Sequence, residues 1–210
     1  MNKRIIFALL SLPLASLLAI IALALRGQTG EIIPIGDQNA WAQNVIQPIY
    51  LIAQRLYIIS YVLPLFGLWA MYACLAQQRS TEIPAFWGFI FALVGTGLAL
   101  PTLGALTYAG PGFAQLFLQG AVEAPTYLLT IAMQDSMLLG IPAAIFYSVA
   151  YIFFALAIYK SEKFPNTLAL LLLPHGALLS FGFAFLPLVY LSWVVLLIAG
   201  IVFIRYARLK

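Results

Sequence analysis

The hydrophobic positions along the chain fall into six long apolar segments separated by polar connections. Each segment is about 20 residues long, the length that an α-helix needs to cross a hydrocarbon core about 30 Å thick. The segments cover residues 5–25, 54–76, 85–108, 137–159, 168–186 and 188–204. The pattern therefore predicts an all-α fold, a polytopic transmembrane helix bundle of six spans that forms a single integral membrane domain over residues 1–210.

The last two predicted spans are separated only by a tight turn near Pro187. The apolar run that contains them, residues 168–204, has about 37 residues, which is too long for one span and just long enough for a helical hairpin. This boundary rests on chain length and on the proline, because no Asp, Glu, Lys or Arg interrupts the run.

The composition supports a membrane protein. The chain is 64% hydrophobic and 8% charged, whereas a soluble domain is about 25% charged. The formal net charge of +4 does not predict a nucleic-acid partner, because the basic residues lie at the chain ends and in short connections and not on one folded face. The lipid bilayer is the expected partner. The single cysteine, Cys74, excludes an internal disulfide and a thiolate metal cluster.

The distribution of charge predicts the orientation of the bundle. With the N-terminus in the cytoplasm, the opposite face receives only Arg26 and, near its boundary, Arg55, which satisfies the positive-inside rule. An even number of spans then places both termini in the cytoplasm, and the inner (plasma) membrane of a cell is the expected location. The basic residues of the cytoplasmic face are Lys3, Arg4, Arg79, Lys160, Lys163, Arg205, Arg208 and Lys210.

Two long connections lie on the predicted outer face, at residues 27–53 and 109–136. The first is expected to contain a short helix that begins at Asp37. In the second, the Gly-Pro-Gly sequence at 110–112 predicts a turn. The apolar residues from Phe113 to Gly120 then recur at helical spacing, which is typical of a helix in the headgroup region. We therefore expect short interfacial helices on the outer face.

Several polar residues lie near the outer ends of spans two and four. Arg55 is within about one turn of the outer boundary of span two, so its guanidinium either reaches the lipid phosphates or pairs with a carboxylate. Glu123 and Asp135 are the acidic candidates, and N-capping of span four is the alternative role of Asp135. An Arg55–Asp135 pair, together with Gln54 and Gln134, would line an outward-facing polar pocket.

The only histidine of the chain, His175, lies in the apolar run LLLLPHGALL at residues 170–179. Pro174 removes one backbone hydrogen bond and predicts a kink in span five. We expect a neutral imidazole that joins this span to a neighbouring helix through a freed carbonyl, through Ser180 or through a threonine on another span. The alternative is that His175 binds a haem iron, a chlorophyll magnesium or a quinone carbonyl. The sequence identifies no particular cofactor.

Motifs for catalysis are absent from the sequence. It contains no HExxH, GxSxG or P-loop pattern, and no pair of carboxylates falls within a predicted span. With one histidine and no oriented acid beside it, an enzyme is not expected.

Two segments together form a pattern: an arginine early in span two, and a fourth span that ends in a short basic loop followed by proline. The segments are QRLYIISYVLPLFGLWAMYACL at 54–75 and FYSVAYIFFALAIYKSEKFPNTLALLLLPHGALL at 146–179. In this pattern, carried by Arg55, Lys160 and Pro165, the chain resembles an uncharacterised family of bacterial six-span membrane proteins, the domain of unknown function 4386. The chain departs from the family at residues 160–167, where an arginine, serine and glycine cluster is usual, and at His175. The resemblance covers about half of the chain and implies six spans in a bacterial membrane, with no assigned activity.

Three functions remain open at the level of the sequence. The first is a non-catalytic structural or accessory subunit of a membrane complex, whose partners are other membrane subunits. The second is a small-molecule or lipid transporter or sensor with an outward-facing polar pocket. The third is a haem- or pigment-binding membrane protein that uses His175 as the ligand.

The predicted orientation can be tested with reporter fusions. A reporter fused after Lys210 should be active in the cytoplasm, and one inserted near Gly36 should be active outside, because the charge asymmetry places these positions on opposite faces. Paired phosphatase and fluorescent-protein fusions measure both. An external reporter at Lys210 would show that the split at Pro187 is wrong.

Overall fold

The computed structural model of the chain describes residues 3–29, 34, 36–181 and 186–208, excepting the side chains of 27–29, 135, 136, 181 and 186. The described residues form ten α-helices and one π-helical turn, and no strand occurs among them, so the predicted all-α fold is confirmed. The helices are α1 (Lys3–Leu9), α2 (Ser11–Thr29), α3 (Gln38–Val45), α4 (Pro48–Val62), α5 (Pro64–Leu75), α6 (Arg79–Leu118), α7 (Ala124–Asp135), α8 (Ile141–Tyr159), α9 (Asn166–Phe181) and α10 (Leu186–Arg208), and the π-helical turn is Ser136–Gly140.

Among the described residues, five helical segments are long and apolar enough to cross a membrane, and each overlaps one predicted span. The remaining predicted span, the fifth, at 168–186, corresponds to α9. The 16 residues of α9 extend about 24 Å, which is shorter than a hydrocarbon core of about 30 Å. Residues 182–185, where this span was expected to end, lie outside the described residues. The five long segments are Lys3–Arg26, Pro48–Leu75, Arg79–Leu118, Ala124–Tyr159 and Pro187–Arg208.

Pro187 is the second residue of α10 and not part of a turn. A proline in the first turn of a helix removes an N–H that has no partner within the helix, and its φ already suits the helix. The description of α9 ends at Phe181 and that of α10 begins at Leu186, and the residues between them lie outside the described part of the chain.

Helices that follow one another in the chain pack side by side in the bundle. The most extensive contact joins α6 to α8, followed by α8 to α9, and α10 packs against both α9 and α2. Gly88 and Gly95 of α6 face Phe154 and Tyr147 of α8 in reverse order, so these two helices run antiparallel. The hydrogen bonds between α8 and α9 show the same reverse order. Helix α8 thus lies between α6 and α9, and the main core contains Leu68, Phe154, Leu172, Trp193 and Phe203.

Helix α6 continues through residues 110–112, where the Gly-Pro-Gly sequence predicted a turn, and ends at Leu118. The turn prediction is wrong because tertiary packing keeps this segment helical. A Cβ on the first glycine would lie 3.5 Å from Cγ1 of Val45, an ordinary packing distance, so α3 packs directly against this part of α6. Farther along, Ala114 packs in one cluster with Trp41 of α3. The proline between the glycines keeps a helical φ and removes only one hydrogen bond.

Gly120 terminates α6. Its φ is 103°, in the left-handed region that glycine adopts at little cost. The N–H of Ala121 donates to the carbonyl of Leu116 at 3.0 Å, and the N–H of Gly120 donates to the carbonyl of Phe117 at 2.9 Å. These two bonds close a Schellman motif. The separate helix expected from Phe113 to Gly120 is therefore the last part of α6.

Asp135 lies inside a continuous helical segment. Helix α7 ends at this residue, but the π-helical turn follows at once and leads into α8. Because an N-cap residue precedes the first turn of a helix and has non-helical dihedral angles, the N-capping role predicted for Asp135 is wrong. The segment from Ala124 onward is helical because it packs on the bundle, with Leu128 buried in one cluster with Tyr50.

The short helix predicted at Asp37 is confirmed. The Asp37 carboxylate caps α3 by accepting hydrogen bonds from the N–H groups of Asn39 at 2.9 Å and Ala40 at 3.1 Å. Helix α3 buries Trp41 and Val45 against α6 and so covers one end of the bundle.

Gly95 sets the distance between α6 and α8. A Cβ at this position would lie 3.0 Å from the backbone nitrogen of Tyr147 and 3.2 Å from the carbonyl oxygen of Ala143. Two residues farther along the same helix, Gly97 has no atom within 4 Å of the equivalent position. The two glycines can therefore be compared directly, because Gly95 lies at a close helix contact and Gly97 has free space around it.

Replacing Gly95 should destabilise the bundle, whereas replacing Gly97 should not. We expect Gly95→Ala to lower the free energy of unfolding by about 1–3 kcal/mol, because the methyl group overpacks the contact. Gly97→Ala should be neutral or raise it by up to about 1 kcal/mol, because alanine favours the helix. Reversible unfolding in detergent micelles measures both, and equal effects would contradict the close approach at Gly95.

Candidate functional site

His175 and Ser192 form a reciprocal hydrogen-bonded pair between α9 and α10. Nδ1 of His175 lies 2.9 Å from the carbonyl oxygen of Ser192 and 2.7 Å from its Oγ. The Oγ of Ser192 donates in turn to the carbonyl oxygen of His175 at 3.1 Å. Both residues are completely buried. The expected bridge from His175 to a neighbouring helix is therefore confirmed, with a partner that the sequence did not single out.

Five ring-bearing side chains in the interior form a closed circle in which each ring contacts the next. They come from α4, α8, α9 and α10, and their spacing is typical of favourable ring contacts. We call these five residues the ring circle. The ring centroids are 6.1 Å apart for Tyr61 and Tyr147, 5.6 Å for Tyr147 and Tyr151, 4.5 Å for Tyr151 and His175, 5.7 Å for His175 and Trp193, and 5.6 Å for Trp193 and Tyr61.

Arg26 adjoins the ring circle through Tyr57. Its Cζ lies 5.0 Å from the centroid of the Tyr57 ring, a distance typical of a cation–π contact. The Tyr57 ring in turn lies 5.3 Å from that of Tyr61 and 6.5 Å from that of Trp193. A positive charge near the end of α2 therefore lies one ring away from the circle.

Gly176 allows α8 and α9 to approach closely beside the ring circle. A Cβ at Gly176 would lie 3.1 Å from both Cα of Ser148 and Cβ of Tyr151. The Oγ atoms of Ser148 and Ser180 are 2.5 Å apart, and Ser180 also hydrogen-bonds to the carbonyl oxygen of Ala144 at 2.8 Å. Ser180, which was expected to be a partner of His175, therefore joins α9 to α8 instead.

A cavity of about 30 Å³ lies beside the ring circle. Tyr61 and Tyr147 belong to both the circle and the cavity wall, and Thr102 adds a further hydroxyl. The hydroxyl of Thr102 is buried and has no hydrogen-bond partner among the described residues. The buried hydroxyl of Tyr147 interacts with those of Thr96 and Tyr151. The volume accommodates one or two water-sized groups. The remaining wall residues are Ala99, Leu103, Gly140, Ala143, Ala144, Leu179 and Ser180.

Unpaired polar atoms also occur elsewhere in the ring circle. Within the described part of the chain, Nε2 of His175 and Nε1 of Trp193 are buried without a hydrogen-bond partner. A buried polar group left unpaired costs about 1–3 kcal/mol. The ring circle and its cavity are therefore the part of the interior where a bound group with matching donors and acceptors would gain most.

The acidic side chains lie away from this site. All four carboxylates whose side chains are described are exposed: Asp37, Glu82, Glu123 and Glu162. No group of three His, Cys, Asp or Glu side chains that could hold a metal ion occurs in the residues described. The described side chains of the ring circle and the cavity wall can form hydrogen bonds and ring contacts, and they include no acid–base pair.

The pocket expected near Arg55 is not assembled by the side chains that the structure describes. Gln54 is buried beside Tyr50, whereas Arg55 is exposed on the next face of α4. Consecutive residues of an α-helix point about 100° apart, since one turn takes 3.6 residues.

Three further residues were expected at that pocket. Glu123 is exposed, forms no ion pair with Arg55, and accepts a hydrogen bond from the Tyr127 hydroxyl at 3.0 Å. Gln134 is exposed on α7. The side chain of Asp135 lies outside the described residues, so the Arg55–Asp135 pair stays a prediction.

The sequence interpretation missed most of the ring circle. Tyr57 and Tyr61 on α4, and Tyr147 and Tyr151 on α8, each stand four residues apart, which places each pair on one face of its helix. This repeated spacing was a signal that could have drawn attention to both helices. No comparable signal marks Trp193, whose position depends on the packing of α10.

Comparison of the chain with protein-family models, with curated proteins and with solved structures finds no match. The resemblance to a six-span bacterial family stays a prediction, and the site geometry is the basis for a functional proposal.

The pair His175–Ser192 should show a measurable coupling energy. His175→Leu and Ser192→Ala should each lower the free energy of unfolding, and the double variant should cost less than the sum by about 0.6 kcal/mol and at most about 1.7 kcal/mol. His175→Gln keeps a donor and an acceptor, so it should cost less than His175→Leu. As a control, Ser192→Ala combined with Gly97→Ala should be additive. Additivity of the His175 and Ser192 changes would contradict the pairing.

Proposed function

We propose that this chain is a non-catalytic integral membrane protein that holds the polar end of a small lipid-soluble molecule in the cavity beside the ring circle, as a carrier or sensor. The proposal includes six spans, with α9 as the fifth, both termini in the cytoplasm, and the inner membrane of a bacterial cell as the location. The bilayer is its first partner. Support for six spans comes from the antiparallel order of the helices and from the basic residues near one end.

The observation that carries the proposal is the unpaired hydroxyl of Thr102 in the cavity wall, beside the hydroxyl-bearing ring of Tyr147. Thr102 and Tyr147 are both buried, and the Thr102 hydroxyl has no partner among the described residues. A ligand with one polar group and an apolar body would satisfy this hydroxyl and would contact the small apolar residues of the wall. This chemistry differs from that of the outward-facing charged pocket expected from the sequence.

The cavity lies at irregular helical segments. Gly140, the last residue of the π-helical turn, belongs to its wall, and Pro142 follows in the first turn of α8. On the opposite helix, Pro101 interrupts the hydrogen-bond ladder of α6 next to Thr102. π-Helical turns are frequent at functional sites, and proline reduces the backbone hydrogen bonding that resists bending. These features support a site whose walls can adjust to a ligand.

An accessory subunit of a membrane complex is the second candidate, and one face of α6 favours it. Gly97 and Gly104 lie seven residues apart on that face, and neither would place a Cβ within 4 Å of another atom. Leu93 and Tyr108 flank them and are exposed. Small residues on an exposed face let another transmembrane helix approach closely.

The structure supports a haem- or pigment-binding role for His175 less than it supports the two candidates above. Its Nε2 is completely buried, and the rings of Tyr151 and Trp193 lie against the imidazole. A flat macrocycle would have to displace these rings.

The proposal can be tested with 1-octanol, which joins one hydroxyl to an apolar chain. Octanol should raise the melting temperature of the purified wild-type protein, because a ligand that binds only the folded state adds RT ln(1 + [L]/Kd) to its stability. Ala144→Leu fills the cavity and should abolish this rise. Ala177→Leu makes the same change at an exposed position of α9 and should retain it.

The outcomes separate the two candidates. The same response in wild type and Ala144→Leu would assign the effect to the detergent and overturn the proposed site. A preparation that does not respond to octanol and carries stoichiometric partner chains would favour the accessory subunit.

A further inference from the structure

One side of helix α10 is exposed from Leu191 to the end of the helix. The exposed positions recur every three or four residues and therefore lie on one face. The segment Pro187–Arg208 has 22 residues and extends about 33 Å, close to the thickness of a hydrocarbon core of about 30 Å. An apolar face suited to acyl chains thus ends in two arginines at the level of the lipid headgroups. The exposed residues are Leu191, Val194, Ile198 and Ile201, followed by Arg205 and Arg208.

Helices α1 and α2 carry a second exposed apolar face of the same kind. It begins with the exposed Lys3, and its apolar positions also recur every three or four residues. This face therefore has a cation at one end, and the side chains along the rest of it are suited to contact acyl chains. The apolar residues are Phe7, Leu10, Leu14, Leu17 and Ile21.

Helices α2 and α10 lie next to each other and run antiparallel. A Cβ on Gly200 of α10 would lie 3.0 Å from Cδ of Pro13, near the start of α2. Near the end of α2, Arg26 contacts the Tyr57 ring, and this ring lies 6.5 Å from the ring of Trp193. Later positions in α2 therefore match earlier positions in α10, and the two exposed faces border one seam between the helices.

The same antiparallel order brings Lys3 to the end of the seam where Arg205 and Arg208 lie, because α1 precedes α2 and also contacts α10. We call these three residues the basic corner. No Asp or Glu occurs in residues 1–30 or 163–210, which contain α1, α2, α9 and α10. The helices that form the basic corner therefore supply no carboxylate to balance its three cations, and its charge favours an anionic partner.

We propose that an anionic phospholipid binds along the seam between α2 and α10, with its phosphate on the basic corner and its acyl chains on the two apolar faces. Arginine suits this role because its planar guanidinium can donate two hydrogen bonds to one phosphate group. Basic residues at the headgroup level attract anionic lipids, and the apolar faces that lead to the basic corner would hold one such lipid in place.

The seam lies apart from the cavity, since no residue of the basic corner belongs to the cavity wall. Lipid binding at the seam therefore needs no ligand in the cavity. It rests on the proposed function only for the location of the chain in a membrane.

Native mass spectrometry of the full chain in detergent counts the bound lipids and measures their affinity. The wild-type protein should bind phosphatidylglycerol more tightly than phosphatidylcholine with the same acyl chains. Arg205→Gln combined with Arg208→Gln should weaken the binding of phosphatidylglycerol about 25-fold, because each basic residue near an anionic lipid contributes about fivefold. The binding of phosphatidylcholine should not change.

Arg79→Gln combined with Lys160→Gln is the matched control. It removes the same charge from two exposed residues beside α6 and α8, away from the seam, and should keep the wild-type affinity for phosphatidylglycerol. The free headgroup glycerophosphoglycerol is the second control. It should bind far more weakly than the lipid, because it has no acyl chains to contact the apolar faces.

Equal losses in the two double variants would show a general attraction to a basic surface and would overturn the seam, as would equal affinity for the two lipids. Equal affinity for phosphatidylglycerol and its free headgroup would overturn the lipid as the source of the phosphate. If octanol raises the melting temperature but phosphatidylglycerol is not preferred, the seam fails while the proposed cavity site stands. A chain recovered in the soluble fraction of cells would overturn both.

Discussion

Helix α8 can lie closely between α6 and α9 because these neighbours present glycine where they touch it. Gly88 and Gly95 of α6 and Gly176 of α9 each leave room where a Cβ would come within 3.2 Å of α8 backbone atoms. In helices with so few charged side chains, association depends on van der Waals packing and on the close approach of backbones. This approach positions the faces of α8 that carry Tyr147 and Tyr151. The ring circle and the cavity therefore both depend on it.

Polar groups in the interior have two different roles. At the contacts of α9 with α8 and α10, Ser148, Ser180 and the pair His175–Ser192 use hydrogen bonds to hold neighbouring helices together. In the ring circle, Nε2 of His175 and Nε1 of Trp193 remain unpaired within the described residues. Paired groups specify a single arrangement of helices, whereas unpaired ones leave capacity for a further interaction. His175 has both roles, because its Nδ1 is hydrogen-bonded to Ser192 whereas its Nε2 has no partner among the described residues.

The helices could be predicted from the sequence because segment length and hydrophobicity determine a span. The boundaries of the helices could not be predicted in the same way. The turn expected at residues 110–112 followed from the local propensity of glycine and proline, and packing against α3 outweighs that propensity. Hydrophobicity also failed to show which side of a helix faces inward when nearly every side is apolar. Arg55 was therefore expected at a pocket and is exposed, while Arg26 lies over an interior ring. The ring circle draws on four helices, and no local sequence pattern could bring these together.

The unpaired hydroxyl of Thr102 has a consequence for the amount of protein in the cell. Under the proposed function, the ligand-free bundle carries an energetic penalty that binding removes. A difference of one or two kcal/mol in stability can change the abundance of a protein several-fold, because unfolded molecules are continuously degraded. Quality control would then link the amount of this protein to the amount of its ligand, so that the cell retains the protein where the ligand is present.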